Sequence, residues 1–224
     1  MKRTLKVLMF AVITGVALTA TAFWFESKKE ADLSKCTFRE GDILLQSLGG
    51  VLCKVIEGVS KSPYSHCGIV AEINGKLYVL EALPPAVHYT PLKKWINRGY
   101  NPRFTQIRVK NMTAENIDKV LLEAEKFIGS KYDFQYEISD TKIYCSELIY
   151  KAFMRAIKLE VGTKESLGSL NWKPYEKLIR QLAEPKGSLP LKRVMVTPRS
   201  LVDSAQTKII YTNYPKKKIK SKKN

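Results

Sequence analysis

Cys145, His66 and Glu81 are the residues of this 224-residue chain whose types and settings suit nucleophilic catalysis. Cys145 opens the run Tyr144-Cys145-Ser146-Glu147-Leu148. The spacing predicts a helix from about Cys145 to Ile157, with Cys145 on the inward face beside Leu148, Ile149, Ala152 and Ala156. In the first turn of a helix, free N–H groups and the helix dipole stabilise a thiolate. The same position also suits an inert buried thiol, because cysteine packs as a small hydrophobe.

His66 and Glu81 lie in two β-prone runs, His66 to Ile73 and Lys76 to Leu83, separated by Asn74-Gly75, a strong hairpin signal. A two-residue turn pairs Ile73 with Lys76, which places Gly68 opposite Glu81 and His66 opposite Leu83. Opposed residues share a face, so His66, Gly68 and Glu81 project from one side, and His66 and Glu81 become diagonal neighbours with Cβ atoms about 7–8 Å apart. The glycine opposite Glu81 leaves room for the carboxylate to lean towards the imidazole. A carboxylate accepting from one ring nitrogen fixes the tautomer and leaves the other nitrogen as a base. Together the three residues make a nucleophile, a base and an orienting group; the bland alternative is a histidine and a glutamate that share a surface. His88, the other histidine, follows Pro84-Pro85 and lacks a nearby carboxylate, which makes it a surface or cleft residue. Glu147 points away from Cys145 and can cap or pair within the first helical turn.

The elements that must position these groups alternate in type. Asp42 to Gln46 reads as a strand, and Leu48, Val51, Leu52, Val55, Ile56 and Val59 recur at helical spacing. After the hairpin come an edge strand at Val87 to Thr90, a short helix at Leu92 to Ile96 and a strand at Phe104 to Val109. Thr113 then caps a helix that carries Phe127 and Ile128 and stops at Gly129. Beyond the Cys145 helix the chain is loop-rich from Gly162 to Gly187, with one short helix. A strand at Arg193 to Val196, a helical turn capped by Thr197-Pro198 and a strand at Lys208 to Thr212 follow. The class is α+β, in one domain from 36 to 214.

Composition limits the rest. With 45% hydrophobic and 26% charged residues the chain is globular and large enough to bury a core unaided. Its net charge of +17 includes six lysines in the tail within 215–224 and Lys2, Arg3 and Lys6 at the start. The remainder is still basic, favouring anionic partners without choosing among them. Neither helix-turn-helix nor zinc-finger spacing occurs, so no nucleic-acid partner is expected. The tail is either a solvated end or a contact with an anionic membrane surface. Val7 to Phe25 carries neither charge nor proline and ends beyond Ala20-Thr21-Ala22, so residues 1–25 read as a signal peptide or a retained anchor. The domain is then exported, either periplasmic or anchored outside the cytoplasm. Two histidines and no C-x-x-C pair leave too few ligands for structural zinc, and no cofactor is expected. Cys36, Cys53, Cys67 and Cys145 permit several disulfide pairings, with Cys53 and Cys67 read as buried small residues.

The motifs SHCGIV from Ser65, the glutamate in YVLEALP, GSKYDF from Gly129, YCSELIY from Tyr144 and TPRSLVDS from Thr197 occur in that order. Over Gly41 to Ser204 the chain resembles the permuted papain-like cysteine amidases of the YiiX/YebB type, relatives of the NlpC hydrolases. In papain the cysteine precedes the histidine; here the histidine and carboxylate come first, as in a circular permutation. The resemblance implies a papain-like α+β fold with an antiparallel sheet packed against helices. It also implies a cysteine hydrolase with Cys145 as nucleophile, His66 as base and Glu81 as orienting acid. Tyr132 and Asp133 match the family's YD motif, in a packing or loop-anchoring role. The expected activity is cleavage of an envelope amide, with cell-wall stem peptides suggested by the NlpC relatives. The alternatives are a thiol acyltransferase, esterase or lipase acting on lipid-like acyl groups, and a non-catalytic envelope-binding module.

Overall fold

Residues 31, 33–182 and 187–215 are described by the computed structural model; the apolar run 7–25 and the lysines from 216 onward lie outside them. The chain order begins with β1 (Ile43–Gln46), α1 (Gly50–Val59), β2 (His66–Ile73), β3 (Lys76–Leu83), β4 (Ala86–Pro91), α2 (Leu92–Arg98), β5 (Phe104–Val109) and α3 (Ala114–Glu125). It continues with β6 (Lys131–Tyr132), β7 (Lys142–Ile143), α4 (Cys145–Ile157), β8 (Lys164–Ser166), α5 (Glu176–Leu182), β9 (Val194–Val196), α6 (Pro198–Asp203) and β10 (Thr207–Thr212). Eight strands form one sheet in the order β10-β5-β1-β2-β3-β4-β6-β7, antiparallel except for the final pair, while β8 and β9 pair separately. The class is α+β, as the pattern of elements predicts.

Alternation along the strands divides the core into two layers. Ile43, Leu45, Cys67, Ile69, Leu80 and Ile107 face α3 and α4. Leu44, Val70, Val79 and Phe104 face Leu92, Trp95 and Ile96 of α2. A smaller cluster joins Val55 and Val59 of α1 to Leu167 and Ile179.

The hairpin register is the predicted one at its tip. Asn74 and Gly75 take positive φ of 51° and 73°, which a two-residue turn with right-handed twist requires, and Ile73 pairs with Lys76. The ladder, however, ends at Ile69–Leu80, short of the expected Gly68–Glu81 and His66–Leu83 pairs. His66 and Gly68 pair instead only with Gln46 and Leu44 of β1. This open end of β2 holds the site.

Two further expectations change. The Val87 to Thr90 strand is internal, because Ala86 pairs with Lys131 of β6 on its far side. Strands of two residues such as β6 and β7 are too short to show periodicity. The Thr113 side chain accepts from the Asn116 N–H at 3.2 Å as a cap should, but its helix stops at Glu125, before Phe127 and Ile128. The Phe127 and Ile128 N–H groups bond three residues back, and Gly129, at φ 83°, donates to the Val87 carbonyl. The helix is tightened into a turn that joins β4.

Candidate active site

The site is assembled where three elements begin or stop pairing. Cys145 is the first residue of α4, directly after β7, and α4 packs across β2. His66 is the first residue of β2, and Glu81 sits on β3 opposite His88 of β4. All are enclosed: Cys145 is 3%, His66 2% and Glu81 0% exposed.

Glu81 carries a dense set of donors. Its Oε2 lies 2.5 Å from His66 Nε2 and accepts from Trp95 Nε1 at 2.9 Å and Arg98 Nη2 at 2.6 Å. Its Oε1 accepts from the Thr90 hydroxyl at 2.6 Å. Burial alone would raise this carboxyl, but the bonds and charges of His66 and Arg98 hold it down at about 2. Gly68 provides the space: a Cβ there would lie 3.2 Å from Glu81 Cβ, 2.4 Å from Val79 Cγ1 and 2.9 Å from the Leu80 carbonyl oxygen.

With Nε2 held by Glu81, Nδ1 is the nitrogen left for the Cys145 sulfur, with which the imidazole hydrogen-bonds. Burial disfavours a charged imidazole, yet the bonds and charges of Cys145 and Glu81 raise His66 to about 9. The sulfur has a second partner. The Cys67 thiol donates to it and is the main influence lowering Cys145 well below an ordinary thiol; burial opposes this, while His66 and the Cys67 backbone N–H assist. Cys67 itself is pushed well up by burial and by its charged neighbour, and so keeps its proton. The arrangement describes a Cys145 thiolate facing a His66 imidazolium, as a nucleophile and its proton donor require.

The three residues singled out from the sequence are thus brought together. His88 is a correction: it is half-exposed as expected, but its Nε2 lies 3.8 Å from Glu81 Oε1, because the strand that carries it pairs beside Glu81. Its Nδ1 bonds the Ala86 carbonyl at 2.8 Å. Asp133 anchors its loop by accepting from the Gln135 and Glu137 N–H groups, at 3.0 and 2.7 Å. Glu147 accepts from the Tyr144 N–H at 3.4 Å and the Ser139 N–H at 2.9 Å, and pairs with Lys151 at 2.7 Å. Burial pushes its carboxyl up to about 7 against these partners.

No disulfide joins the four cysteines, and two depart from their expected roles. Cys53 is only partly buried, with Ser65 as a hydrogen-bond partner, and Cys67 touches the candidate nucleophile. Strand alternation turns Cys67 to the face opposite His66, and that face is the one α4 covers. Trp95, Arg98 and Thr90 also escaped notice, since their link to Glu81 depends on the packing of α2 and β4.

Among the described residues, no group of three or more His, Cys, Asp or Glu side chains is placed to hold a metal ion. Residues 37–211 match the family model of the permuted papain-like amidase enzymes, YaeF/YiiX, C92 family. The uncharacterised protein YiiX of Escherichia coli (strain K12) is 32% identical over 177 residues, spanning 78% of this chain and 87% of that one. The crystal structure of the metalloprotein YiiX from Escherichia coli O157:H7 superposes with a TM-score of 0.74 at 29% identity, covering 79% of this chain and 98% of that one.

Proposed function

Because this chain belongs to the permuted papain-like amidase family of YaeF and YiiX, we propose that it is a cysteine hydrolase cutting an amide bond through Cys145, His66 and Glu81. The observation that carries this reading is the chain of contacts from the Cys145 sulfur through the His66 ring to the Glu81 carboxylate. Its chemistry is acyl transfer. The thiolate attacks the acyl carbon, and N–H groups of the first turn of α4, free of intrahelical partners, receive the oxyanion. The His66 imidazolium gives its proton to the leaving amine. The neutral imidazole then draws a proton from water, which attacks the thioester and releases the acid. Glu81 keeps Nε2 engaged throughout, so that Nδ1 does the proton transfer.

Cell-wall peptides are the substrate class we favour, with the domain exported by its N-terminal apolar run. A second reading, transfer or hydrolysis of a lipid-like acyl group, has one structural support. An apolar cavity of about 80 Å³ between α1 and the segments around Leu167 and Met195 is lined by Leu52, Val55, Val59, Leu167, Met195 and Tyr136. Its volume suits a few methylene groups and not a long chain.

The test is incubation of the protein with purified stem peptides and, separately, with phospholipids, followed by mass spectrometry. A peptide cleavage abolished in both Cys145→Ala and His66→Ala supports the proposal. Release of fatty acid with no peptide cut would move the assignment to the acyl reading, and turnover surviving in Cys145→Ala would end both.

A further inference from the structure

A groove of about 1230 Å³ is walled by residues of α1, α6, the segment 61–64 and the end of β10. This exceeds the roughly 300–1,000 Å³ usual for small-molecule pockets. Its walls carry Lys54, Lys61, Arg103 and Arg199 against Glu57 and Asp203. Arg199 is bonded to Asp203 at 2.6 Å, whereas Lys54, Lys61 and Arg103 are exposed and form no ion pair among the described residues. Tyr64, Tyr100, Tyr175 and Tyr214 line it too, and Tyr100 is 62% exposed.

Two observations define the occupant. First, the groove adjoins the candidate active site: Ser62, Pro63 and Tyr64 on its wall lead into His66, and Ser47 follows Gln46, the Cα partner of His66. Second, the lining is positive but mixed. Glu57 Oε1 is enclosed without a hydrogen-bond partner, an acceptor left for an N–H of a ligand. A uniformly charged phosphodiester would meet Glu57 and Asp203 as repulsive groups, and a flat bilayer would not enter a groove.

We infer that this groove binds an extended, carboxylate-rich peptide that also carries an amine, and that it leads such peptides to Cys145. The delivery clause rests on the hydrolase reading; the binding clause does not.

The experiment uses the full chain as Cys145→Ala, so that nothing is cut, and a fluorescein-labelled glutamate-rich peptide containing one lysine. Anisotropy should show binding that weakens as salt screens the charges. Adding Lys54→Gln and Arg103→Gln should weaken it about fivefold, the scale expected for two exposed ion pairs. Both side chains are exposed, so the melting temperature should match the parent's; if it falls, Lys61→Gln serves as the second variant. Undiminished binding in the groove variants would overturn the inference. So would tighter binding of an oligonucleotide of equal charge, or of phosphatidylglycerol vesicles. Persistence of peptide cleavage in Cys145→Ala would sink the hydrolase reading and leave the binding result standing, so the two can fail separately.

Discussion

The Cys67 thiol donates to the Cys145 sulfur, although Cys67 follows His66 on the same strand and points to the other face of the sheet. Both successive residues reach one atom because Cys145 stands at the end of β2, where pairing with β3 has ceased. The Cys67 N–H, freed from the ladder at that point, donates to the same sulfur. The thiolate is thus held by a histidine, a thiol and an amide. Four predictions follow from these contacts.

Replacing Cys67 by alanine removes one donor and leaves the amide and the imidazole. The Cys145 titration should move towards alkaline pH by about one unit, the worth of one hydrogen bond to a charged group. Iodoacetamide alkylation followed across pH reads this shift directly. Cys67→Ser restores a donor and should recover most of it. An unmoved midpoint in the alanine variant would assign Cys67 to packing alone.

Hydrolysis should follow a bell-shaped pH profile. The acid limb comes from protonation of the Cys145 thiolate, which lies below the ordinary thiol range of about 8.5. The alkaline limb comes from loss of the His66 proton at about 9, which leaves no acid for the departing amine. A rate that keeps rising through pH 10 would contradict the imidazolium's role.

Glu81→Gln should reduce turnover about 10²–10⁴-fold, since a neutral amide neither fixes the His66 tautomer nor supports its charge. Stability also falls, by about 1–3 kcal/mol, because Arg98, Trp95 and Thr90 lose a charged acceptor. The sign with pH follows from the lowered carboxyl. Its contribution is present above the unfolded value of about 4.3 and is lost as pH falls towards about 2, so wild type and variant should converge in acid melts. A constant difference between them down to pH 2 would deny Glu81 its charge in the native state.

Gly68→Ala should destabilise the fold by about 1–3 kcal/mol in urea, as overpacking does. The added methyl would sit 2.4 Å from Val79 Cγ1 and 2.9 Å from the Leu80 carbonyl oxygen, where backbone cannot yield easily. The same push falls on Glu81 Cβ at 3.2 Å, so turnover should drop as well. A variant as stable and active as wild type would show that the hairpin opens there at little cost.

Local signals in the sequence carried far. The Asn74-Gly75 turn set the hairpin register and hence the shared face of His66 and Glu81, because a two-residue turn admits one pairing and side chains alternate strictly. Periodicity placed Cys145 at the first turn of α4, since 3.6-residue spacing marks both the start and the buried face of a long helix. The YCSEL and SHxGI motifs supplied the family resemblance. What the sequence could not determine was which surfaces meet. The end of the β2–β3 ladder, the internal place of β4, and the approach of Trp95, Arg98 and Thr90 to one carboxylate depend on contacts between segments that no periodicity links. Strand alternation directs Cys67 and His66 to opposite faces, but only the docking of α4 across the open end of β2 puts both against one sulfur. Local patterns fix the direction in which a side chain points; what it meets is decided by long-range packing.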